Sequence, residues 1–252
     1  MRFTLMILLC TSQLTIADEP SPAKAYQSMV TEYENEGGAR LFAKRFLAFS
    51  KEHLDDPVSA DALLWIVDNV PGRVETDQAV DLLQRHHVTS TKMGSGCKAI
   101  ARSRAYGAEK LLRATLVKNK DKGVQAHAAF YLAALLDREA DIAGQLQAEP
   151  ELAPRVLQYY GKEYGDHLSS LNLTELASQR QKAYEQILAS FPNVEIADQR
   201  IGRVAEDALF AIRHLSVGRV APEIQGAGIN AKELKLSDHR GKVVMIYFWG
   251  HW

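Results

Sequence analysis

Few residues in this 252-residue sequence are of a type and spacing that could do chemistry. One thiol, Cys97, sits in Met93-Gly-Ser-Gly-Cys97-Lys98. A glycine-rich loop leading into a helix can bind an anion or lower a thiol pKa. The segment does not meet the G-x-x-x-x-G-K-[ST] spacing of a phosphate loop. Its bland alternative is a loop between helices, with Cys97 as a small buried residue. His86 and His87 are adjacent, so on a helix they diverge by about 100° and cannot share a metal at that spacing alone; a solvated helix end is expected. His239 and His251 stand alone, with no cysteine or carboxylate spacing around them. Asn172-Leu-Thr174 fits a glycosylation sequon. No catalytic residue, cofactor-binding residue or metal-ligand set is assigned from these positions.

The elements that must carry these residues are helical almost throughout, from Asp18 to about Leu215. Ala25 to Glu34 has spaced apolar and aromatic residues, and Gly37-Gly38 breaks the pattern. Ala39 to His53 follows with Leu41, Phe42, Phe46, Leu47 and Phe49 on a helical stripe. Asp55-Asp-Pro57 ends that segment, and Ser59 or Asp61 is placed to cap Ala60 to Asn69. Glu75 to His87 repeats the pattern after the Pro71-Gly72 turn. Tyr106 to Val117, a charged turn, and Val124 to Leu136 resemble a HEAT-type helix pair, and Gln181 to Pro192 resembles the last helix of a tetratricopeptide unit. Neither repeats at a fixed period, so a looser helical layer is expected. Prolines 150 and 154 and glycines 161 and 165 punctuate the third quarter, around Tyr159, Tyr160 and Tyr164. Ile196 to Leu215 reads as a last helix, and Ser216-Val-Gly218 as a boundary.

Beyond that boundary the pattern changes to strands. Glu233-Leu-Lys-Leu-Ser-Asp alternates apolar and polar, and Lys242-Val-Val-Met-Ile-Tyr-Phe-Trp249 has the content of a strand buried on both faces. The order G-x-x-A-P-[DE]-I, then L-x-L-S-D-x-R-G-K-V-V, then an aromatic strand ending F-W-G-x-W, resembles the start of a thioredoxin-like redoxin domain. That family comprises the alkyl-hydroperoxide-reductase/thiol-specific-antioxidant and thiol:disulfide-reductase group. The resemblance implies a Cys-x-x-Cys immediately after Trp252, an oxidoreductase activity and a protein thiol or disulfide as partner. Thiol–disulfide exchange needs an attacking thiolate and a resolving thiol. The sequence ends before that dithiol, so the expectation is a truncated protein, a gene fragment or an incomplete gene model, inert in exchange as it stands. Tyr247, Phe248, Trp249 and Trp252 read as sheet core and the tryptophan flanking the dithiol. The last thirty or so residues are expected to form at most a small strand pair, marginal alone.

Met1 to Ala17 reads as a cleaved signal peptide: a basic Arg2, an apolar run from Phe3 to Cys10, and a Thr15-Ile-Ala17 site before Asp18. A lipid attachment at Cys10 is disfavoured by the preceding Leu9. The expected compartment is periplasmic or secreted. With Cys10 removed, Cys97 is left alone and no internal disulfide forms. The composition, 46% hydrophobic and 24% charged with formal net charge −1, gives no sign of a nucleic-acid or membrane-surface partner. No integral membrane span and no cofactor are expected. The predicted architecture is mainly α: a signal peptide (1–17), a helical-repeat-like domain (18–215) and the opening strands of a thioredoxin-like α/β domain (216–252). The alternative function is a secreted helical scaffold or adaptor that binds another protein on a concave face.

Overall fold

Three short polar side chains start the helices on which the packing depends. The computed structural model describes residues 20–228 and 233–250. In it, Asp56 accepts the Val58 N–H at 2.8 Å, just ahead of Pro57. Asp121 accepts the N–H groups of Gly123 and Val124, and the Asn172 amide oxygen accepts those of Thr174 and Glu175. Each satisfies donors that have no carbonyl partner within the first helical turn. Ser59 and Asp61, expected as caps, lie inside the helix instead, because Pro57 is accommodated at its first turn.

Among the described residues the chain runs α1 (Pro22–Glu36), α2 (Ala39–Glu52), α3 (Pro57–Asn69) and α4 (Val74–Leu82), the last extended by a π-helical turn, Leu83–His87. Then come α5 (Met93–Arg102), α6 (Ala108–Lys118) and α7 (Lys122–Ala148). A 3₁₀ turn at Pro150–Leu152 leads to α8 (Ala153–Tyr160), α9 (Lys162–Ser170) and α10 (Leu173–Ser190). A hairpin of β1 (Glu195–Ile196) and β2 (Gln199–Arg200) precedes α11 (Ile201–Phe210), which ends in a second π turn, Ala211–Leu215. β3 (Gln225–Ala227) and β4 (Glu233–Lys235) follow, antiparallel, with Gly226 opposite Leu234. The fold is therefore mainly α with two small strand pairs.

The long helix α7 is the axis of the packing. It lies against α5, α6, α9 and α10. Its buried alanines, Ala126, Ala128, Ala129 and Ala133, let those neighbours approach, while Leu132, Leu135 and Leu136 fill the core. Asp137 on α7 accepts from Arg180 Nε at 2.7 Å and from the Tyr184 hydroxyl, which fixes α10 alongside. At the other end α1, α2 and α3 share an aromatic cluster. Phe46 is fully buried with its ring centroid 4.4 Å from Trp65 and 5.6 Å from Tyr26, and Tyr33 meets Trp65 edge-on at 4.8 Å.

Several expectations are corrected. Met93–Arg102 is a helix, not a loop: Gly94 and Gly96 are buried in it, and a Cβ on Gly96 would lie 2.3 Å from Leu64 Cδ2. Close contact between α5 and α3 selects glycine there, over its poor helix propensity. The last helix does not start at Ile196. Ala197 and Asp198 both take positive φ, 52° and 60°, and close the β1–β2 hairpin first. Toward the carboxyl end, β3 and β4 form the small expected pair, but β4 gives way to a 3₁₀ turn at Leu236–His239. Lys242–Trp249 is not a strand buried on both faces. Residues 243–250 pair with nothing in a sheet, and Val243, Met245, Tyr247, Phe248 and Trp249 are each at least 78% exposed. An apolar run becomes a sheet core only beside another strand, and no described strand flanks it. The expected signal peptide (1–17), with Cys10, and the positions His251 and Trp252 lie outside the described residues. No helix among those described is long and apolar enough to cross a membrane.

Candidate functional site

The residues singled out from sequence do not assemble into one site. Cys97 is fully buried on α5, its thiol directed at the Met93 carbonyl oxygen 3.1 Å away. Burial pushes the thiol pKa up to about 12, so Cys97 is a structural residue without thiolate character. His239 is exposed on the 3₁₀ turn. Asn172 is exposed, with its side-chain oxygen committed to capping α10.

The two adjacent histidines have different surroundings. His86 is exposed, as expected of a helix end, but His87 is buried, with Nε2 3.3 Å from the Ser59 hydroxyl. Burial lowers the His87 pKa; His86 and Lys92 push it the same way, and Asp55 opposes them. The folded protein therefore holds a neutral imidazole that the unfolded chain would protonate near the usual value of about 6.5. His87 then contributes stability that is present above that value and lost as pH falls through its depressed folded pKa. The denaturation midpoint of wild type should fall between pH 7.5 and 5 more steeply than that of His87→Gln. Parallel pH profiles for the two proteins would show that His87 carries none of the dependence.

A different set of side chains does converge. Glu109 lies in the first turn of α6, Glu139 in the middle of α7 and His167 in the last turn of α9. One oxygen of each carboxylate and one imidazole nitrogen all fall within 4.8 Å of one another. Glu139 is 1% exposed. The Tyr164 hydroxyl donates to its Oε1 at 2.8 Å, His167 Nε2 lies 3.8 Å from the same oxygen, and Oε2 has no hydrogen-bond partner. Burial raises the Glu139 carboxyl pKa to about 7 against the opposing pull of the Tyr164 hydrogen bond, and neighbouring Glu109 adds to the rise. Arg113 and Arg138 oppose it electrostatically. Burial also lowers the His167 pKa, with Glu109 opposing. Burial thus disfavours the charged form of both His167 and Glu139, which face each other at the join of three helices with one Glu139 oxygen unpartnered.

This cluster opens onto a groove between α4, the start of α6 and α9. Tyr106 forms part of its wall, its ring 5.3 Å from that of His167, and Asp77, Asp81 and Glu163 line it. Asp77 has a raised pKa, caused first by burial and then by the nearby Glu163. The groove continues past Tyr106 to Arg104, which takes a left-handed φ of 59° and stacks its guanidinium on Tyr159 at 4.2 Å. Sequence reading missed Glu139. Its signal was a carboxylate set among Leu135, Leu136 and Ala143 on the apolar face of a helix.

No family model, no curated protein and no solved structure matches this chain. Its fold class rests on the helices described above, and its function on the arguments that follow.

Proposed function

We propose that this chain is the helical module and opening segment of an extracytoplasmic thiol–disulfide oxidoreductase of the thioredoxin-like kind. The helical layer serves as a partner-binding or spacing module. The exchanging dithiol is the Cys-x-x-Cys that the resemblance puts directly after Trp252, and the reaction partner is a protein thiol or disulfide. The chain ending at Trp252 has no thiol fit for exchange among its described residues, since Cys97 is buried and held protonated.

The observation that carries this reading is the run Val243–Trp249. Seven residues rich in β-branched and aromatic side chains follow a strand pair and lie open to solvent. Apolar surface of that extent is stable in water only when covered. A sheet that supplied neighbouring strands would bury it, and the motif order Gly218 to Trp252 is the one that begins such a sheet.

Two measurements test the proposal. The nucleotide sequence past the Trp252 codon should encode Cys-x-x-Cys, in the same frame or a shifted one. A chain carried through that motif and its remaining sheet should reduce insulin, while the chain ending at Trp252 should show no turnover. Turnover by the shorter chain, or a downstream sequence without the cysteine pair, would overturn the assignment. The groove beside Tyr106 favours a second reading, a helical adaptor that binds another protein without redox chemistry. Absence of the cysteine pair would leave that reading standing.

A further inference from the structure

We infer that Glu109, Glu139 and His167 form a binding site for a divalent transition-metal ion, of which Zn²⁺ is the natural probe. The inference is independent of the redoxin reading, because all three residues belong to the helical layer.

The donor set comes first. One imidazole nitrogen and two carboxylate oxygens suit a borderline ion such as Zn²⁺ better than Mg²⁺ or Ca²⁺, which prefer oxygen alone. Geometry comes next. Donors bound to one ion at about 2.0–2.1 Å stand roughly 3–4 Å apart from each other. His167 Nε2 lies 3.8 Å from Glu139 Oε1, so the imidazole stands beside the carboxyl group whose other oxygen, Oε2, has no hydrogen-bond partner. The full set, within 4.8 Å, needs only a small side-chain adjustment at Glu109, which is part-exposed.

The third observation is the state of Glu139. A carboxylate 1% exposed with one oxygen lacking any hydrogen-bond partner is costly. A bound cation would satisfy that oxygen. Tyr164, donating to the other oxygen, would then act as the outer partner that orients a ligating carboxylate. Two guanidinium groups border the site and act electrostatically on Glu139, and the Arg138 Nε is buried without a hydrogen-bond partner. Arg113 holds Oε1 of Glu109 at 2.6 Å and Gln179 at 3.0 Å, so Oε2 of Glu109 remains for the ion. Arg138 donates to the Ala101 carbonyl. Access comes from the groove, which Glu109 and His167 themselves line along with Asp77, Asp81 and Glu163. Lys110 and Arg113 line it too, but four carboxylates against two cations leave the groove net acidic, which favours cation approach. Glu109 and His167 face the groove while Glu139 lies buried behind them, so three protein ligands would leave a coordination position for water on the groove side.

The test uses the full chain, stripped with a chelator and titrated with ZnCl₂ by calorimetry. Wild type should bind one ion in the micromolar range or tighter. His167→Gln and Glu139→Gln should each weaken binding at least tenfold, while His86→Gln and His239→Gln, which remove exposed histidines, should not. Co²⁺ loaded in place of Zn²⁺ should give visible d–d absorption that His167→Gln abolishes. If Glu139→Gln fails to fold, as judged by circular dichroism, Glu109→Gln serves in its place. No saturable binding by wild type would overturn the assignment, as would binding retained in His167→Gln but lost in His86→Gln.

Discussion

Replacing Phe46 with alanine should remove about 3–5 kcal/mol of stability, the usual range for deleting a buried aromatic ring. The midpoint of thermal unfolding should then fall by roughly 6–20 °C, at about 2–4 °C per kcal/mol for a chain of this size. The size of the effect follows from position. Phe46 is fully buried on α2, beside Trp65 of α3 at 4.4 Å, Tyr26 of α1 at 5.6 Å and Phe42 at 6.4 Å. Ring contacts of that kind add about 0.5–1.5 kcal/mol each beyond area burial. The helices on either side cannot close the gap cheaply, because Ala43, Ala60 and Ala62 are already fully buried and bring the backbones close. Phe46→Leu keeps most of the volume and should cost less than about 1.5 kcal/mol. Thermal unfolding of the two variants checks the argument. Equal midpoints would mean that the cluster relaxes around the loss and that aromatic packing does not hold α1 to α3.

The same helices show how much of the fold was legible in sequence. The stripe Leu41, Phe42, Phe46, Leu47 and Phe49 gave α2 within a residue or two of its observed ends, because a core-facing helix must repeat its apolar residues at 3.6-residue spacing; Leu41 alone of the five is exposed. Where local preference and packing disagree, the reading failed. Gly94 and Gly96 argue for a loop on propensity alone, and only the Leu64 side chain pressing on Gly96 explains the helix. The hairpin at Ala197-Asp198 lacks the Asn-Gly signature of its turn type, so its left-handed pair is set by the strands around it. The carboxyl-terminal run failed in the opposite sense. Its composition is that of a central strand, but a strand is defined by neighbours, and Val243–Trp249 has none among the described residues.

The candidate site was legible only in part, and the reason is topological. Glu139 declares itself, being a charged residue on an otherwise apolar helix face. Glu109 and His167 do not, because nothing in their own helices distinguishes them from solvated residues. They meet Glu139 because α6 and α9 both pack on α7, which is a tertiary fact. Conversely, the residues that drew attention in sequence, Cys97 and the His86-His87 pair, owed it to local composition. Cys97 and His87 proved to be buried structural groups. Chemistry assembled across helices leaves no spacing pattern along the chain, whereas a motif within one loop does, whether or not it is used.

Gly202→Ala is the second substitution with a large expected effect, and two principles give it opposite signs. Gly202 lies in the first turn of α11. On helix propensity, alanine in place of glycine stabilises by at most about 1 kcal/mol, the value for a helix interior. The surroundings argue the other way. A Cβ built on Gly202 would stand 2.2 Å from the Pro192 carbonyl oxygen and 2.9 Å from Pro192 C and Cα. All three are backbone atoms, so no side chain can swing aside. Either α11 retreats or the chain at Pro192 does, and both movements are constrained. Ile201 N–H donates to the Val194 carbonyl at 2.9 Å, the β1–β2 hairpin closes between the two segments, and Ile201, Ala205 and Leu209 are buried against the main core. Overpacking against a fixed backbone costs about 1–3 kcal/mol and more where relaxation is blocked. The steric cost therefore exceeds the propensity gain, and the net change should be a loss of about 2 kcal/mol or more. Urea unfolding decides it: a lower midpoint with an unchanged slope is the expected result. A midpoint equal to or above that of wild type would mean that α11 can separate from Pro192 at little cost, and that the glycine is there for some reason other than close approach.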